Sequence, residues 1–297
     1  MSSRRILLVT HPRRPEAIEI AHEVARRLQS AGIAVATLPD LPDGVVDDVA
    51  AASGCELVVV LGGDGTILRG VDVARSHGVP VLGANLGHIG FLAELEREDI
   101  AAMVDHIVAR AYTVEERMAL DVRAQVDGED IYSGWALNEA SVEKAARERM
   151  IDMSVEIDGR PLSTWGCDGV VLATPTGSTA YAFSAGGPVV WPNVEALLLV
   201  PLSAHALFAR PLVVAPTSRL AVGLIPTGEA AAVLWCDGRR TFDLPAGAWV
   251  QVERSATPVR LARLQTGAFT DRLVRKFDLP TTGWRGSTGP TPGGAAD

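Results

Sequence analysis

The sequence contains few lysines and few cysteines. Of its 27 basic residues only Lys144 and Lys276 are lysines, and neither lies in a glycine-rich loop. This excludes a Walker-A phosphate-binding loop, whose lysine contacts the phosphates. The three cysteines, Cys55, Cys167 and Cys236, are odd in number and far apart. They argue against a disulfide framework or a zinc ribbon and favour buried free thiols in a reducing compartment.

The sequence also lacks a basic excess and a long apolar run. Acidic residues outnumber basic ones by 36 to 27, which gives a net charge of −9, whereas binders of nucleic acid or anionic membranes need a basic face. The most apolar region, residues 194–215, is interrupted by charged residues and prolines, so we expect no membrane span. The apolar run at residues 6–9 is too short for a signal-peptide core. We therefore expect a cytoplasmic protein without nucleic-acid or membrane partners.

The first part of the chain alternates apolar strand patterns with helical ones. Strands are predicted at residues 6–9, 33–38, 57–61 and 79–82, and helices at residues 15–31, 64–76 and 99–109. The run at 57–61 is continuously apolar, as expected for a central parallel strand that is covered on both faces. Strands separated by helices predict a parallel sheet with helices on both sides.

After Tyr112 the pattern becomes that of a β-rich domain. Asp-Gly dipeptides at 127–128, 158–159 and 237–238 separate short strand-like runs, which is a strong hairpin signal. With 297 residues, the chain is long enough for two modest cores. We predict an α/β domain over residues 1–112, a β-rich domain over 113–265, a helix at 266–278 that completes the first domain, and a disordered tail at 281–297.

Residues 62–66 (Gly-Gly-Asp-Gly-Thr) directly follow the apolar strand at 57–61. Glycines let a backbone approach phosphate closely, and the N–H groups of a helix start point at the anion. A carboxylate repels phosphate, so Asp64 needs another role, which is contact with a metal or acceptance of a proton. The alternative is a tight turn in which Asp64 is the helix N-cap. Arg69 is the nearest cation for phosphate charge, unless it is a solvated surface arginine.

A second loop, residues 168–188, combines glycines with six hydroxyl groups after another apolar strand. Such a loop suits a nucleotide or sugar–phosphate ligand through neutral hydrogen bonds, although hydroxyls that only cap the loop are the alternative. Asn138-Glu139 interrupts a strand-like run, where an amide and a carboxylate could hold ribose hydroxyls or form a polar strand end. The six histidines show no metal-ligand spacing, so no protein-held metal is expected.

Together these segments resemble the NAD kinase family, in its bacterial, actinobacterial-like form. The resemblance rests on Gly-Gly-Asp-Gly-Thr, on Asn-Glu some seventy residues later, and on the long segment at 168–188, with support from residues 85–92 and 205–212. It extends from about residue 5 to residue 278. Gly-Gly-Asp-Gly alone is shared with lipid kinases and, more loosely, with phosphofructokinases, whereas Thr-Pro-Thr-Gly-Ser-Thr-Ala-Tyr is much more specific.

The resemblance implies a phosphofructokinase-like α/β domain beside a β-sandwich-like domain, with the site in the cleft between them. It implies phosphoryl transfer from ATP, or also from inorganic polyphosphate, to the 2′-hydroxyl of the adenosine ribose of NAD, which yields NADP. Mg²⁺ or Mn²⁺ would be supplied with ATP. The family is commonly dimeric or tetrameric, so a homodimer or homotetramer is expected.

The resemblance also implies roles for individual residues. Asp64 would be the proton acceptor, Asn138 and Glu139 would hold NAD, Asp168 would lie near the nicotinamide, and Arg149 would be a basic substrate contact. The substrate loop would comprise Thr179, Ala180, Tyr181, Ala182, Phe183 and Ser184. The other predicted nucleotide-binding residues are Gly62, Gly63, Gly65, Thr66, Arg69 and Asn85.

Two other functions stay open at this point. A lipid kinase of the diacylglycerol or sphingosine type would share Gly-Gly-Asp-Gly, but it calls for an acyl pocket and usually for a basic membrane-facing patch. A catalytically silent NAD(P)-binding regulator would keep the second loop and could dispense with Asp64. The donor range, the use of NADH and the number of subunits are not determined by the sequence.

Overall fold

The computed structural model describes residues 4–11, 14–38, 49–86, 90–93, 95, 99–146, 149–226, 232–264 and 268–281. These residues form three six-stranded sheets and five α-helices. Of the predicted tail at 281–297, all but Thr281 lies outside the described residues.

The first sheet is mainly parallel. Its strands are β1 (Arg5–Thr10), β2 (Ala34–Thr37), β3 (Leu57–Leu61), β4 (Val81–Ala84), β5 (Thr113–Arg117) and β18 (Val259–Arg263), in the order β2-β1-β3-β4-β18-β5. Only the β18–β5 pair is antiparallel. The predicted strand at 57–61 is confirmed residue for residue, whereas β4 begins two residues later than predicted.

Helices cover both faces of this sheet, as the alternation of helical and strand patterns predicts. They are α1 (Pro15–Ser30), α2 (Asp64–Ala74) and α3 (Ile100–Ala109). Alternate residues of β1 point to opposite sides: Ile6 and Leu8 share a core with α1 and α3, and Leu7 and Val9 share one with α2. The predicted parallel sheet with helices on both sides is thereby confirmed.

Strands β5 and β18 come from the segment that we predicted as the β-rich domain, yet both pair within the first sheet. Leu261 of β18 lies beside Val81 of β4, and residues 259–263 pair with 113–117. Local sequence patterns identify a strand but not the sheet it joins, because pairing between distant segments leaves no short-range signal. The domain limits at 112 and 265 thus stay a prediction, and the first sheet extends past both.

The remaining strands form two antiparallel sheets that enclose one core. The order in the second sheet is β10-β9-β14-β17-β6-β7, and in the third it is β13-β12-β11-β8-β15-β16. Their bounds are β6 (Leu120–Val126), β7 (Glu129–Ala136), β8 (Glu139–Lys144), β9 (Ile151–Ile157), β10 (Arg160–Cys167), β11 (Gly169–Ala173), β12 (Leu197–Leu202), β13 (Leu212–Val214), β14 (Leu220–Leu224), β15 (Ala232–Cys236), β16 (Arg240–Leu244) and β17 (Trp249–Arg254). The shared core confirms the sandwich-like fold.

The three Asp-Gly dipeptides form the turns of the hairpins β6–β7, β9–β10 and β15–β16. Asp127, Asp158 and Asp237 have φ angles of 52°, 55° and 55°, and the glycine that follows each of them also has a positive φ. Two successive residues with positive φ define the turn geometry that matches the twist of paired strands.

The two remaining helices are α4 (Tyr181–Ser184) and α5 (Phe269–Phe277). The helix predicted at 266–278 is thus present as α5, while residues 265–267 lie outside the described part. The three cysteines are free and buried, as predicted. None of the described helices is long and apolar enough to cross a membrane.

Gly70 lies where α2 packs on β3, and its lack of a side chain permits that contact. A Cβ atom at this position would overlap Cγ2 of Val60. We expect Gly70→Ala to lower the free energy of unfolding by about 1–3 kcal/mol, although alanine favours a helix more than glycine does. Urea denaturation measures the change.

Val60→Ala provides the matched background, since it removes the overlapping methyl group. In that background Gly70→Ala should lower the free energy of unfolding much less than in the wild type, because the two substitutions are coupled. Equal costs in the two backgrounds would contradict the packing explanation.

Candidate active site between the two cores

The carboxyl ends of β3 and β4 form one side of the candidate site. Leu61 lies opposite Ala84 in the parallel pair, and the N–H of Gly62 donates to the carbonyl of Ala84 at 2.9 Å. Asn85, which follows β4, is 3% exposed, and its N–H donates to the carbonyl of Leu95 at 2.7 Å. This sheet edge is where open α/β folds bind ligands.

Asp64 is the first residue of α2, and its carboxylate is held by a second loop. Gly63 occupies the N-cap position, so the interpretation of Asp64 as N-cap is wrong. Instead, Oδ2 accepts a hydrogen bond from the N–H of Phe91 at 3.0 Å, and Oδ1 accepts one from the N–H of Leu92 at 3.2 Å. Gly90 makes this approach possible, because a Cβ there would overlap the carboxylate. The half-exposed Asp64 side chain therefore has a fixed direction.

The other residues of the glycine-rich turn differ in their surroundings. A Cβ on Gly62 would lie 2.6 Å from Oγ1 of Thr66, so the missing side chain lets the turn close on that threonine. A Cβ on Gly63 or Gly65 would meet no described atom within 4 Å, which leaves their backbone accessible to a ligand. Arg69 is only 9% exposed and is not the solvated surface arginine of the alternative interpretation.

Three strand ends of the third sheet carry a second group of candidate residues. Strand β8 begins at Glu139, opposite Ala173 at the end of β11, and Ala140 pairs with Cys236 at the end of β15. The residues just beyond these ends therefore meet. The N–H of Thr174 donates to the carbonyl of Asn138 at 2.9 Å, and Gly177 lies so close to Asn138 that any side chain would overlap it.

Asp237 anchors this group of strand ends, although the sequence marks it only as a turn residue. Its carboxylate accepts hydrogen bonds from the N–H groups of Leu137 at 2.9 Å and Asn138 at 2.6 Å, and it pairs with Arg240 at 2.8 Å. Burial raises the pKa of Asp237, while Arg240 and these N–H groups counteract the shift. The carboxylate thus fixes the main chain that carries the Asn-Glu pair.

Glu139 is a buried carboxyl group, exposed by 6%. Burial, together with the nearby charges of Asp237 and Glu143, raises its pKa to about 8. A hydrogen bond from the N–H of Tyr181 acts in the opposite direction and lowers the pKa. Its Oε2 atom has no hydrogen-bond partner among the described residues. A carboxyl group that keeps its proton near neutral pH can donate a hydrogen bond to a ligand oxygen.

Alternation along β8 places Ser141 and Glu143 on the same face as Glu139. Glu143 accepts hydrogen bonds from the hydroxyls of Ser141 at 2.6 Å and Tyr181 at 3.2 Å. The face borders a cleft of about 520 Å³ lined by Glu143, Lys144, Asp168, Tyr181, Ser184, Ala185, Pro201, Leu202 and Ser203. Sequence reasoning missed Glu143, although the two-residue period from Glu139 indicates it.

Asp168 lies at the far end of this cleft and pairs with one of the two lysines of the chain. The Nζ atom of Lys144 is 2.6 Å from Oδ1 of Asp168. The hydrogen bond from Lys144 lowers the pKa of Asp168 below its ordinary value, so this end of the cleft carries an ionised pair.

Several hydroxyls of the second loop bond within the protein. Thr174 and Ser178 are fully buried. Thr174 donates to the carbonyl of Leu137 at 2.6 Å, and Ser178 accepts from the N–H of Val190 at 2.9 Å. The loop-capping interpretation is right for these two residues. Ser184 is exposed at the cleft, Thr179 is half-buried, and the side chain of Ala182 is buried in the core.

The comparisons with known proteins agree on one family. Residues 44–112 match the model of the ATP-NAD kinase N-terminal domain, and residues 137–264 match that of the ATP-NAD kinase C-terminal domain. NAD kinase 2 of Streptomyces coelicolor is 58% identical over 294 residues, which covers 96% of this chain and 97% of that protein. This chain belongs to the NAD kinase family. The NAD kinase of Leifsonia xyli is 56% identical over 304 residues, with coverage of 97% and 99%.

Two solved structures of the NAD kinase fold are similar to this one. The NAD kinase of Archaeoglobus fulgidus in complex with ATP has a TM-score of 0.74 and 26% identity, and covers 93% of this chain and 100% of its own. Yeast NADH kinase in complex with NADH has a TM-score of 0.84 at 24% identity, with coverage of 95% and 89%. The predicted family and its two-part fold are confirmed.

For two positions of the family pattern the interpretation from sequence stays a prediction. Arg149 is exposed on the connection before β9, and its contact with the substrate stays a prediction. His88, in the family-like stretch at 85–92, lies outside the described residues.

Helix α5 lies beyond the segments that match the NAD kinase models, and it contacts both sides of the site. Phe91, whose N–H bonds to Asp64, packs between Phe269 and Phe277, with ring centroids 6.0 and 5.9 Å away. Phe277 also stacks on Phe183 of α4 at 4.6 Å, and Phe269 contacts Trp191 at 5.1 Å. The helix thereby links the Asp64 loop to the predicted substrate loop.

The raised pKa of Glu139 predicts a pH-dependent stability. The group is ionised above about 4.5 in the unfolded chain but only above about 8 in the folded one, so the folded state loses relative stability as pH rises through this window. Glu139→Gln removes the effect. The stability of this variant relative to the wild type should increase by up to about 1.4 kcal/mol per pH unit between pH 5 and 8.

Denaturation at pH 5, 6, 7 and 8 measures this difference. Glu129→Gln, at an exposed position of β7, is the control for the general effect of removing one carboxylate. A Glu139→Gln difference that does not change with pH would contradict the prediction.

Proposed function

We propose that this chain is an enzyme that transfers the terminal phosphoryl group of ATP to the 2′-hydroxyl of the adenosine ribose of NAD, which yields NADP. The observation that carries the proposal is the direction of Asp64. Its carboxylate is fixed by two main-chain N–H groups at the start of α2, beside glycines whose backbone is accessible. This is the arrangement that a proton acceptor beside a phosphate-binding turn requires.

The length of the third-sheet face supports a dinucleotide as the acceptor. Glu139 begins β8, and Lys144 at its end pairs with Asp168, so the two predicted NAD contacts are separated by about 16 Å at the usual rise of a strand. Glu139 and Asn138 would hold one half of NAD close to Asp64. Asp168, Tyr181 and Ser184 would hold the nicotinamide half along the cleft.

The mechanism then depends on position and charge. Phosphoryl transfer leaves little covalent chemistry to the protein, which mainly aligns the reactants and compensates charge. Asp64 would orient the 2′-hydroxyl and accept its proton as the oxygen attacks the γ-phosphorus. The bond between the γ-phosphorus and the β–γ bridging oxygen breaks, and ADP leaves. The N-terminus of α2, the backbone at Gly63 and Gly65, and Arg69 would face the phosphates. Gly62, Thr66 and Asn85 would shape the turn around them.

We propose that the divalent metal, Mg²⁺ or Mn²⁺, arrives as part of the ATP complex. Both oxygens of Asp64 accept main-chain hydrogen bonds, and within the described residues no three His, Cys, Asp or Glu side chains form a metal site. Mg²⁺ commonly binds through substrate phosphates with few protein ligands, so the nucleotide complex is the substrate.

We propose a homodimer or homotetramer as the assembly and the cytoplasm as its location. The edge strand β13 supports an assembly through the β-rich part, because Val213 is 53% exposed and Phe208 nearby in the sequence is 52% exposed.

The test of the function is product formation. The protein is incubated with MgATP and NAD, and NADP is detected with an NADP-specific dehydrogenase. Parallel reactions replace ATP by polyphosphate, NAD by NADH, or NAD by diacylglycerol. NADP from NAD, with no phosphorylated lipid, supports the proposal. Phosphorylation of diacylglycerol alone would identify a lipid kinase, and binding of NAD without product from any donor would identify a silent binding protein.

Asp64→Asn should lower kcat by about 10²–10⁴-fold, the usual contribution of a general base. The amide retains one oxygen acceptor for the loop N–H groups, so KM for NAD should stay within roughly twofold if Asp64 acts in the chemical step. Steady-state kinetics measure both constants. Asp105→Asn, which removes a surface ion pair with Arg27, is the control. Near-normal turnover of Asp64→Asn would show that Asp64 is not the base.

Removal of Mg²⁺ should sharply weaken ATP binding. The chain carries a net charge of −9, so its overall field repels a free triphosphate, and Mg²⁺ reduces that repulsion. Isothermal titration of ATP with Mg²⁺ and with EDTA tests this, and NAD titrations under the same conditions are the control. Equal ATP affinities in the two buffers would contradict the prediction.

A further inference from the structure

A chain of charged side chains connects helix α2, which begins in the glycine turn, with strand β8, which begins at Glu139. It begins at Asp72, eight residues after Asp64 on α2. Since a helix rises 1.5 Å per residue, the Cα atom of Asp72 lies about 12 Å along the axis of α2 from that of Asp64. The side chain of Asp72 is 19% exposed, so its ion pairs are largely shielded from solvent.

Two arginines of the β15–β16 hairpin meet Asp72. Its carboxylate is 3.4 Å from Nε of Arg239 and 3.6 Å from NH1 of Arg240. Arg239 also approaches the glycine turn itself, since its NH1 donates to the carbonyl of Gly65 at 3.5 Å. The hairpin therefore contacts both the first and the last turn of α2.

Arg240 continues the chain to the Asn-Glu backbone. Its NH2 lies 2.8 Å from Oδ2 of Asp237, and the buried Asp237 carboxylate receives the N–H groups of Leu137 and Asn138. The N–H of Asp237 in turn donates to the carbonyl of Glu139 at 2.9 Å. A displacement of Arg240 would thus be transmitted to the residues that precede and begin β8.

Trp135 restricts Arg240 to one pose. The guanidinium carbons of Arg240 and Arg75 each lie 4.4 Å from the centre of the Trp135 ring. Arg75 is itself held by the hydroxyl of Ser255 at 2.6 Å and the carbonyl of Thr257 at 2.8 Å. Lysine cannot reproduce the geometry of a guanidinium that stacks on an aromatic ring and contacts two carboxylates at once.

We propose that Asp72, Arg240 and Asp237 are positioning residues that set the distance between Asp64 and Asn138-Glu139. The inference depends on the proposed function, because it assigns these residues to the alignment of the phosphoryl acceptor with its base. Misalignment by a fraction of an ångström affects turnover more than ground-state binding. The network therefore acts on kcat in addition to holding the fold.

The test compares Asp72→Asn, Arg240→Gln and the double variant in kcat, in KM for NAD and in thermal stability. Each single variant should lower kcat by about fivefold or more, in the range of typical coupling between sites, with a smaller change in KM. The double variant should be no slower than the slower single variant, because both interrupt the same chain. Asp72→Glu should recover most of the lost activity, whereas Arg240→Lys should not.

Glu195→Gln is the matched control, because it breaks an exposed ion pair with Arg254, at 2.7 Å, outside the network. Its kcat should equal that of the wild type. If Asp72→Asn loses stability but retains wild-type kcat, the network only supports the fold and the proposal is wrong. Losses of kcat that multiply in the double variant would show two independent effects and would also overturn it.

Amide hydrogen exchange of the peptide around Leu137 and Asn138 provides a readout that does not require turnover. These N–H groups should exchange faster in Arg240→Gln than in the wild type or in Glu195→Gln, and unchanged exchange would overturn the proposed link. If Arg240→Gln does not fold, the kcat values of Asp72→Asn and Asp72→Glu test the proposal. If the wild-type protein forms no NADP, the proposed function is refuted. Hydrogen exchange would then test only the link between Arg240 and the main chain at Leu137 and Asn138.

Discussion

Hydrogen bonds from main-chain N–H groups to carboxylates hold both sides of the candidate site. Asp64 receives such bonds from Phe91 and Leu92, and Asp237 receives them from Leu137 and Asn138. A buried or half-buried carboxylate needs these partners, since an unpaired one would be costly. Because each donor belongs to a segment distant in sequence, the same bonds that satisfy the carboxylates also join the segments.

Positive charge in this protein is supplied almost entirely by arginine. Arginine can stack on a ring and contact two acceptors at once, as Arg240 does between Trp135, Asp72 and Asp237. Of the two lysines, Lys144 pairs with Asp168 at the end of the cleft. These side chains are thus cations that the fold holds at fixed positions.

The sequence predicts the parts of the fold that depend on neighbouring residues. The buried strand β3, its glycine turn and the Asp-Gly hairpins all follow from local patterns, and the family-like segments identify the two-part architecture. Asp237 was recognised only as a turn residue, because its bonds to Leu137 and Asn138 span about a hundred positions. Thr174 and Ser178 bond to the main chain of Leu137 and Val190, and sequence alone does not distinguish such hydroxyls from ligand-facing ones, because both occur in the same kind of loop.

Strand β18 lies between β4 and β5 in the first sheet although it follows all other described strands in the sequence. The β-rich part is therefore an insertion, and its two ends leave the sheet side by side, where Arg117 pairs with Val259. During synthesis this inserted part can fold from contacts made within it, while the first sheet waits for β18, which is synthesised after the whole insertion. The glycine turn with Asp64 is thus synthesised early but reaches its final surroundings only after the whole insertion has been synthesised.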